Sequence, residues 1–119
     1  MNWLNKAAQI VYDKKGMNLL ALDVRGLSSL TDYMLIAEGS VSKHVSHIAK
    51  ALIADFEKKG YPPVYVEGLE EGDWVIVDFV DFMVHLFAPN LRDYYQLEKI
   101  WPQSKLFDLS IDTSSEQFQ

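Results

Sequence analysis

Asp73-Trp-Val-Ile-Val-Asp-Phe-Val-Asp-Phe-Met-Val-His-Leu-Phe87 reads as two strands joined by a tight turn near Val80-Asp81. Trp74–Phe79 and Phe82–Phe87 are runs of strand length, rich in β-branched and aromatic residues. With a two-residue turn, Val75, Val77 and Phe79 share one face with Phe82, Val84 and Leu86, and all six are apolar. The other face carries Trp74, Ile76 and Asp78 beside Met83, His85 and Phe87. A one-residue slip in register would exchange the two faces. A half-buried sheet needs only one apolar face, so the second one calls for a cover of its own. Two covers are open: a partner macromolecule, or the first or last helix of the chain. Trp and Met are enriched at interface cores, and one carboxylate with one imidazole among them would give orientation.

Upstream, Glu67, Glu70, Glu71 and Asp73 make an acidic, solvated turn after a short strand, Val64–Glu67. Tyr61-Pro-Pro breaks the chain before it. Val45, Ile48, Ala49, Leu52, Ile53 and Phe56 form one helical stripe, closed by Lys58-Lys-Gly60. Ser40 or Ser42 is the expected N-cap of that helix. Asp32–Ala37 and Leu19–Val24 read as strands separated by the loop 25–31. Trp3–Lys14 is an amphipathic helix with Leu4, Ala7, Ala8 and Val11 inward. Downstream, a last helix runs from Pro89-Asn90 to Trp101-Pro102. Its Tyr94 and Tyr95 are placed at the edge of the candidate binding face, whereas Leu97 and Trp101 are assigned to packing. Residues 103–119 are polar and without pattern, and are expected to be a mobile tail.

These elements predict a single α/β (α+β) domain over residues 1–102, a mixed β-sheet with flanking helices largely on one side. The chain has 119 residues, 49% of them hydrophobic and 24% charged, which suits one globular domain. There is no cysteine, so disulfides, thiolate zinc sites and cysteine nucleophiles are excluded, and a reducing cytoplasm is the expected location. No apolar run approaches the ~20 residues of a membrane span. Seventeen acidic against eleven basic side chains give a formal net charge of −6. That opposes nucleic-acid binding as the main contact, which needs clustered cations, and favours a basic protein partner.

No catalytic constellation emerges. Glu38-Gly39-Ser40 lies between a strand and a helix N-terminus, where backbone amides could hold a phosphate; a nucleotide-binding, nucleotidyltransferase-like enzyme is the alternative that rests on it. Such enzymes need two carboxylates on one side of a strand for magnesium. Asp78 and Asp81 are three apart across a turn and do not supply them. His44 and His47, at i and i+3, lack a third metal ligand, and His85 stands alone. No nucleophile elbow, P-loop or dinucleotide glycine pattern occurs. No cofactor, metal or catalytic residue is therefore expected.

Four segments together resemble the ribosomal silencing factor family, also called Iojap. They are Asp32-Tyr-Met-Leu-Ile-Ala-Glu-Gly-Ser, Trp74-Val-Ile-Val-Asp-Phe, Met83-Val-His-Leu-Phe and Arg92-Asp-Tyr-Tyr-Gln-Leu-Glu-Lys-Ile-Trp. The likeness runs from about Asn2 to Pro102. It implies a nucleotidyltransferase-like fold without catalytic carboxylates. It also implies binding to the large ribosomal subunit through its protein L-fourteen, a steric block on small-subunit joining, and repression of translation when nutrients are short. Carried over by position, the family pattern covers Asp32, Tyr33, Gly39, Ser40, Trp74, Asp78, His85, Arg92, Tyr94, Tyr95, Glu98 and Trp101. Phe79-Val80 departs from it, standing where Tyr-Gly is usual before Asp81. The surface expected to bind is Trp74, Ile76, Asp78, Met83, His85 and Phe87 with Tyr94 and Tyr95. A homodimer through the same face is a further possibility for the free protein.

Overall fold

The computed structural model describes residues 2–89 and 105–113. Helix α1 (Asn2–Asp13) leads through Gly16 into strand β1 (Met17–Asp23), which turns back into β2 (Tyr33–Glu38). Helix α2 (Ser42–Lys58) follows, then β3 (Tyr65–Glu67), β4 (Trp74–Asp78), β5 (Phe82–Phe87) and β6 (Lys105–Leu106). The strands form one sheet in the order β3-β4-β5-β2-β1-β6. Only β2 and β5 are parallel; the other neighbours are antiparallel. A parallel pair needs a long crossover, and α2 with the β3–β4 excursion supplies it. Among the described residues the chain builds the expected mixed sheet with helices on one side; the last helix, expected to run to Trp101-Pro102, lies outside them.

Both helices pack on the face made by Ala21, Leu35, Ala37, Val75, Val77, Phe82, Val84 and Leu86. The stripe foreseen for α1 (Leu4, Ala7, Ala8, Val11) is buried, as are Val45, Ile48, Ala49, Leu52 and Phe56 of α2. Phe56 sits among aromatic rings, 4.7 Å from Phe79, 5.5 Å from Trp3 and 6.0 Å from Phe82 between centroids. Edge and tilted arrangements of this kind add to the area they bury.

One expectation fails at the start of a helix. The N-cap of α2 is Val41, in extended backbone and without a side-chain cap bond. Ser42 turns its hydroxyl to a carboxylate of Asp73 and Ser40 gives its N–H to His44, so a tertiary partner and a local histidine take the place of a serine cap. Residues 105–113 lie along β1 and α1. Leu106 pairs with Leu22 and Lys105 with Asp23, and the Phe107 N–H donates to the Ala21 carbonyl at 2.9 Å. Phe107, Leu109 and Ile111 then pack against the main core. Asn5 and Gln9, one turn apart on α1, accept the N–H groups of Ser110 and Asp112 at 2.9 and 2.7 Å. The alternation of Phe107, Leu109 and Ile111 carries this strap, and it is a strand-like pattern visible in the sequence.

Candidate functional site

The face opposite the helices is built in rows across the sheet. Glu67, Ile76, His85, Ile36 and Leu20 are successive register partners, and Tyr65, Asp78, Met83, Met34 and Leu22 make the adjoining row. Trp74 stands opposite Phe87 and Asp78 opposite Met83, the pairing that a two-residue turn predicts. Tyr94 and Tyr95 lie outside the described residues.

Openness is where the expectation needs correcting. Phe87 is fully buried, His85 is 5% exposed and Met83 9%; only Trp74, Ile76 and Asp78 are half-buried. Phe87 belongs to a second, smaller cluster with Leu22, Val24, Met34 and Ile36, with Leu20 and Trp74 packed at its margin. Neither α1 nor α2 contributes to it. β5 is flanked by β4 and β2, and among the described residues Met34 and Ile36 of β2 and Trp74 of β4 pack beside Phe87. The accessible part of the face lies on β4 and its edge neighbour β3, where Tyr65 is 51% exposed and Glu67 is also exposed.

Trp74 joins the two strands chemically. Its ring stacks on Phe87 with centroids 5.4 Å apart, and its indole N–H donates to Nδ1 of His85 at 3.0 Å. An Nδ1 that accepts leaves the proton on Nε2, and Nε2 has no hydrogen-bond partner among the described residues. Burial pushes the imidazole pKa down to about 4, so near neutrality His85 carries no charge. It presents a donor and an apolar ring, and offers nothing to a cation. Asp78 supplies the negative charge of the β4 row.

The helix N-terminus that could have held a phosphate is occupied by the chain itself. Asp73 sits on the Ser42 hydroxyl, and Ser40 donates its backbone N–H to His44 Nδ1 at 2.8 Å. His44 Nε2 in turn lies 2.7 Å from the Lys14 carbonyl, so the ring ties α2 to the end of α1. Gly72 closes the seat: with φ +75°, an added Cβ there would fall 2.1 Å from the Ser42 carbonyl oxygen. Asp78 and Asp81 also diverge. Asp78 Oδ1 accepts the Val80 N–H at 2.8 Å, while Asp81 Oδ2 accepts the Tyr61 hydroxyl at 3.1 Å. Among the described residues no three His, Asp or Glu side chains gather as metal ligands.

The family described as ribosomal silencing factor during starvation matches residues 2–119. The chain belongs to the ribosomal silencing factor family. A ribosomal silencing factor of Bacillus subtilis is 40% identical over 106 residues, covering 89% of this chain and 90% of that one. A crystal structure of a Bacillus halodurans protein superposes with a TM-score of 0.81 at 35% identity, covering 91% of this chain and 98% of that one. A mouse protein named mitochondrial assembly of ribosomal large subunit protein 1 is 30% identical over 95 residues, 74% of this chain and 42% of that one.

In this silencing factor the residues singled out on β4 and β5 do come together on one face, and Gly39 adjoins that pair at its end, its N–H donating to the Phe87 carbonyl at 2.9 Å. Sequence reasoning missed the roles of His44 and Asp73 at the α2 terminus. It also missed Asn5 and Gln9 on α1. Each is a polar side chain whose partner is far along the chain, and no local signal announces such a pairing.

Proposed function

We propose that this silencing factor binds the large ribosomal subunit through its basic protein L-fourteen and blocks joining of the small subunit by occupying space. Translation is thereby repressed when nutrients are limited. The contact surface is the β4 row of Trp74, Ile76 and Asp78, backed by Met83, His85 and Phe87, with Tyr94 and Tyr95 at its edge. One observation carries this reading: Trp74, Ile76 and Asp78 remain half-exposed on the sheet face to which neither α1 nor α2 contributes. Trp is an anchor residue at interfaces, and Asp78 fits a basic partner. Family membership and the name of the mouse relative support a ribosomal partner of the large-subunit kind. No chemical step is involved; the self-occupied α2 terminus and the diverging Asp78 and Asp81 speak against the nucleotidyltransferase alternative. The site of action is the cytoplasm, on ribosomes.

Sucrose-gradient profiles of purified subunits test it. Added protein should travel with the large subunit and reduce the joined ribosome peak. Unchanged joining together with absence from the large-subunit fractions would remove the proposal.

A further inference from the structure

The turn between β4 and β5 holds a residue in a backbone conformation that its side chain opposes. Val80 has φ +75°, a region where a β-branched residue is an outlier. The Asp81 N–H donates to the Phe79 carbonyl at 3.0 Å, which makes Val80 the centre of a γ-turn, a strained form at positive φ. Glycine would sit there without strain.

The surroundings hold the strained turn from several sides. The Val80 N–H donates to Asp78 Oδ1 at 2.8 Å and its carbonyl accepts the Thr31 hydroxyl at 3.1 Å. The Asp32 N–H donates to the Asp81 carbonyl at 3.3 Å. The Tyr61 hydroxyl reaches the Phe79 carbonyl and Asp81 Oδ2, each at 3.1 Å. Strain this well enclosed is a mark of functional positions. The enclosed turn does not bury its tip: Val80 is 54% exposed, and Leu30, next to the tethering Thr31, is 70% exposed. Carboxylates accompany the two apolar tips, on Asp32, Asp81 and Asp78.

We infer that Leu30 and Val80 form a rigid apolar knuckle that seats in an apolar recess of the basic protein bound by the adjoining β4 row. Asp78 links the two regions, because it belongs to that row and also fixes the Val80 N–H. The inference rests on the proposed large-subunit binding and adds to it a contact that selects among partners. The acidic residues around the knuckle match a basic surface, and a pre-formed tip is ordered before binding and so loses little entropy on association.

Strain and contact make opposite demands on residue 80, and that separates them experimentally. In the full chain, Val80→Gly should raise the unfolding midpoint by about 2–4 °C, because the strain is relieved. The same variant should bind purified large subunits roughly fivefold more weakly in co-sedimentation. Leu30→Ser should leave the midpoint within about 1 °C, being an exposed site, and weaken binding to a similar degree. A Val80→Gly protein that binds as the parent does overturns the knuckle, and so does one that is less stable than the parent. If Trp74→Ala abolishes binding while Val80→Gly and Leu30→Ser bind normally, the β4 face stands and the knuckle falls. If the parent protein itself fails to bind large subunits, both fall.

Discussion

The indole N–H of Trp74 donates to His85 Nδ1 across the β4–β5 pair at 3.0 Å. This bond fixes the imidazole as a neutral Nε2–H tautomer. It also holds the half-exposed indole against the fully buried Phe87. The one large aromatic residue of the accessible row is thus anchored by the buried row beneath it.

The first prediction concerns pH. His85 is depressed to about 4 in the folded chain by burial, against about 6.5 when unfolded. Between those values the unfolded state binds the extra proton, so stability rises with pH there. The contribution is complete above pH 6.5 and is lost as pH falls through 4, amounting to about 3 kcal/mol. Urea unfolding at several pH values should show a steeper decline for the parent than for His85→Phe. Parallel profiles would dismiss His85 as the source.

The second concerns the anchor. Trp74→Phe keeps a ring over Phe87 but removes the donor, and should cost about 1 kcal/mol. Trp74→Ala removes both and should cost about 2–3 kcal/mol while circular dichroism shows the fold retained. In co-sedimentation with large subunits the alanine variant should be absent from the pellet and the phenylalanine variant weakened. If the alanine variant sediments like the parent, Trp74 is not at the contact. Analytical ultracentrifugation of both free proteins would show whether the same residue supports a homodimer.

A third separates charge from structure at Asp78. Asp78→Asn preserves an acceptor for the Val80 N–H and removes the negative charge. Binding to a basic partner should weaken, and more so at low salt, where screening is least. An affinity equal to the parent at every salt concentration would argue that charge plays no part.

The fourth addresses the closed α2 terminus. Gly72→Ala places a methyl group 2.1 Å from the Ser42 carbonyl oxygen in a backbone of positive φ. The β3–β4 loop must then lift from α2, and the loss should exceed about 2 kcal/mol. A thermal midpoint equal to the parent would mean that the loop does not pack there in solution.

A fifth tests the strap. Phe107 lies 5.5 Å from Tyr33 between ring centroids and is half-buried. Phe107→Ala should cost about 1–2 kcal/mol, less than a fully buried phenylalanine would, as read by urea unfolding. A tail that is mobile in solution would give no change.

Local pattern was enough for much of this protein. The alternation in Trp74–Phe87 assigned both faces of the hairpin correctly, and the stripe from Val45 to Phe56 located the long helix. Both signals repeat within a few residues, at the periods of strand and helix themselves. Strand order was another matter. Only the folded sheet sets β2 beside β5, and that placement pairs Met34 with Met83 and Ile36 with His85 and gathers Phe87 into one cluster with Met34 and Ile36. The α2 terminus likewise takes its carboxylate from Asp73, 31 residues beyond Ser42, where a local serine cap had been the simpler expectation. Period and propensity act between near neighbours, whereas these pairings depend on closing long loops against a common core. So the chain alone determined which side chains share a face, and the tertiary structure decided how much of that face water can reach.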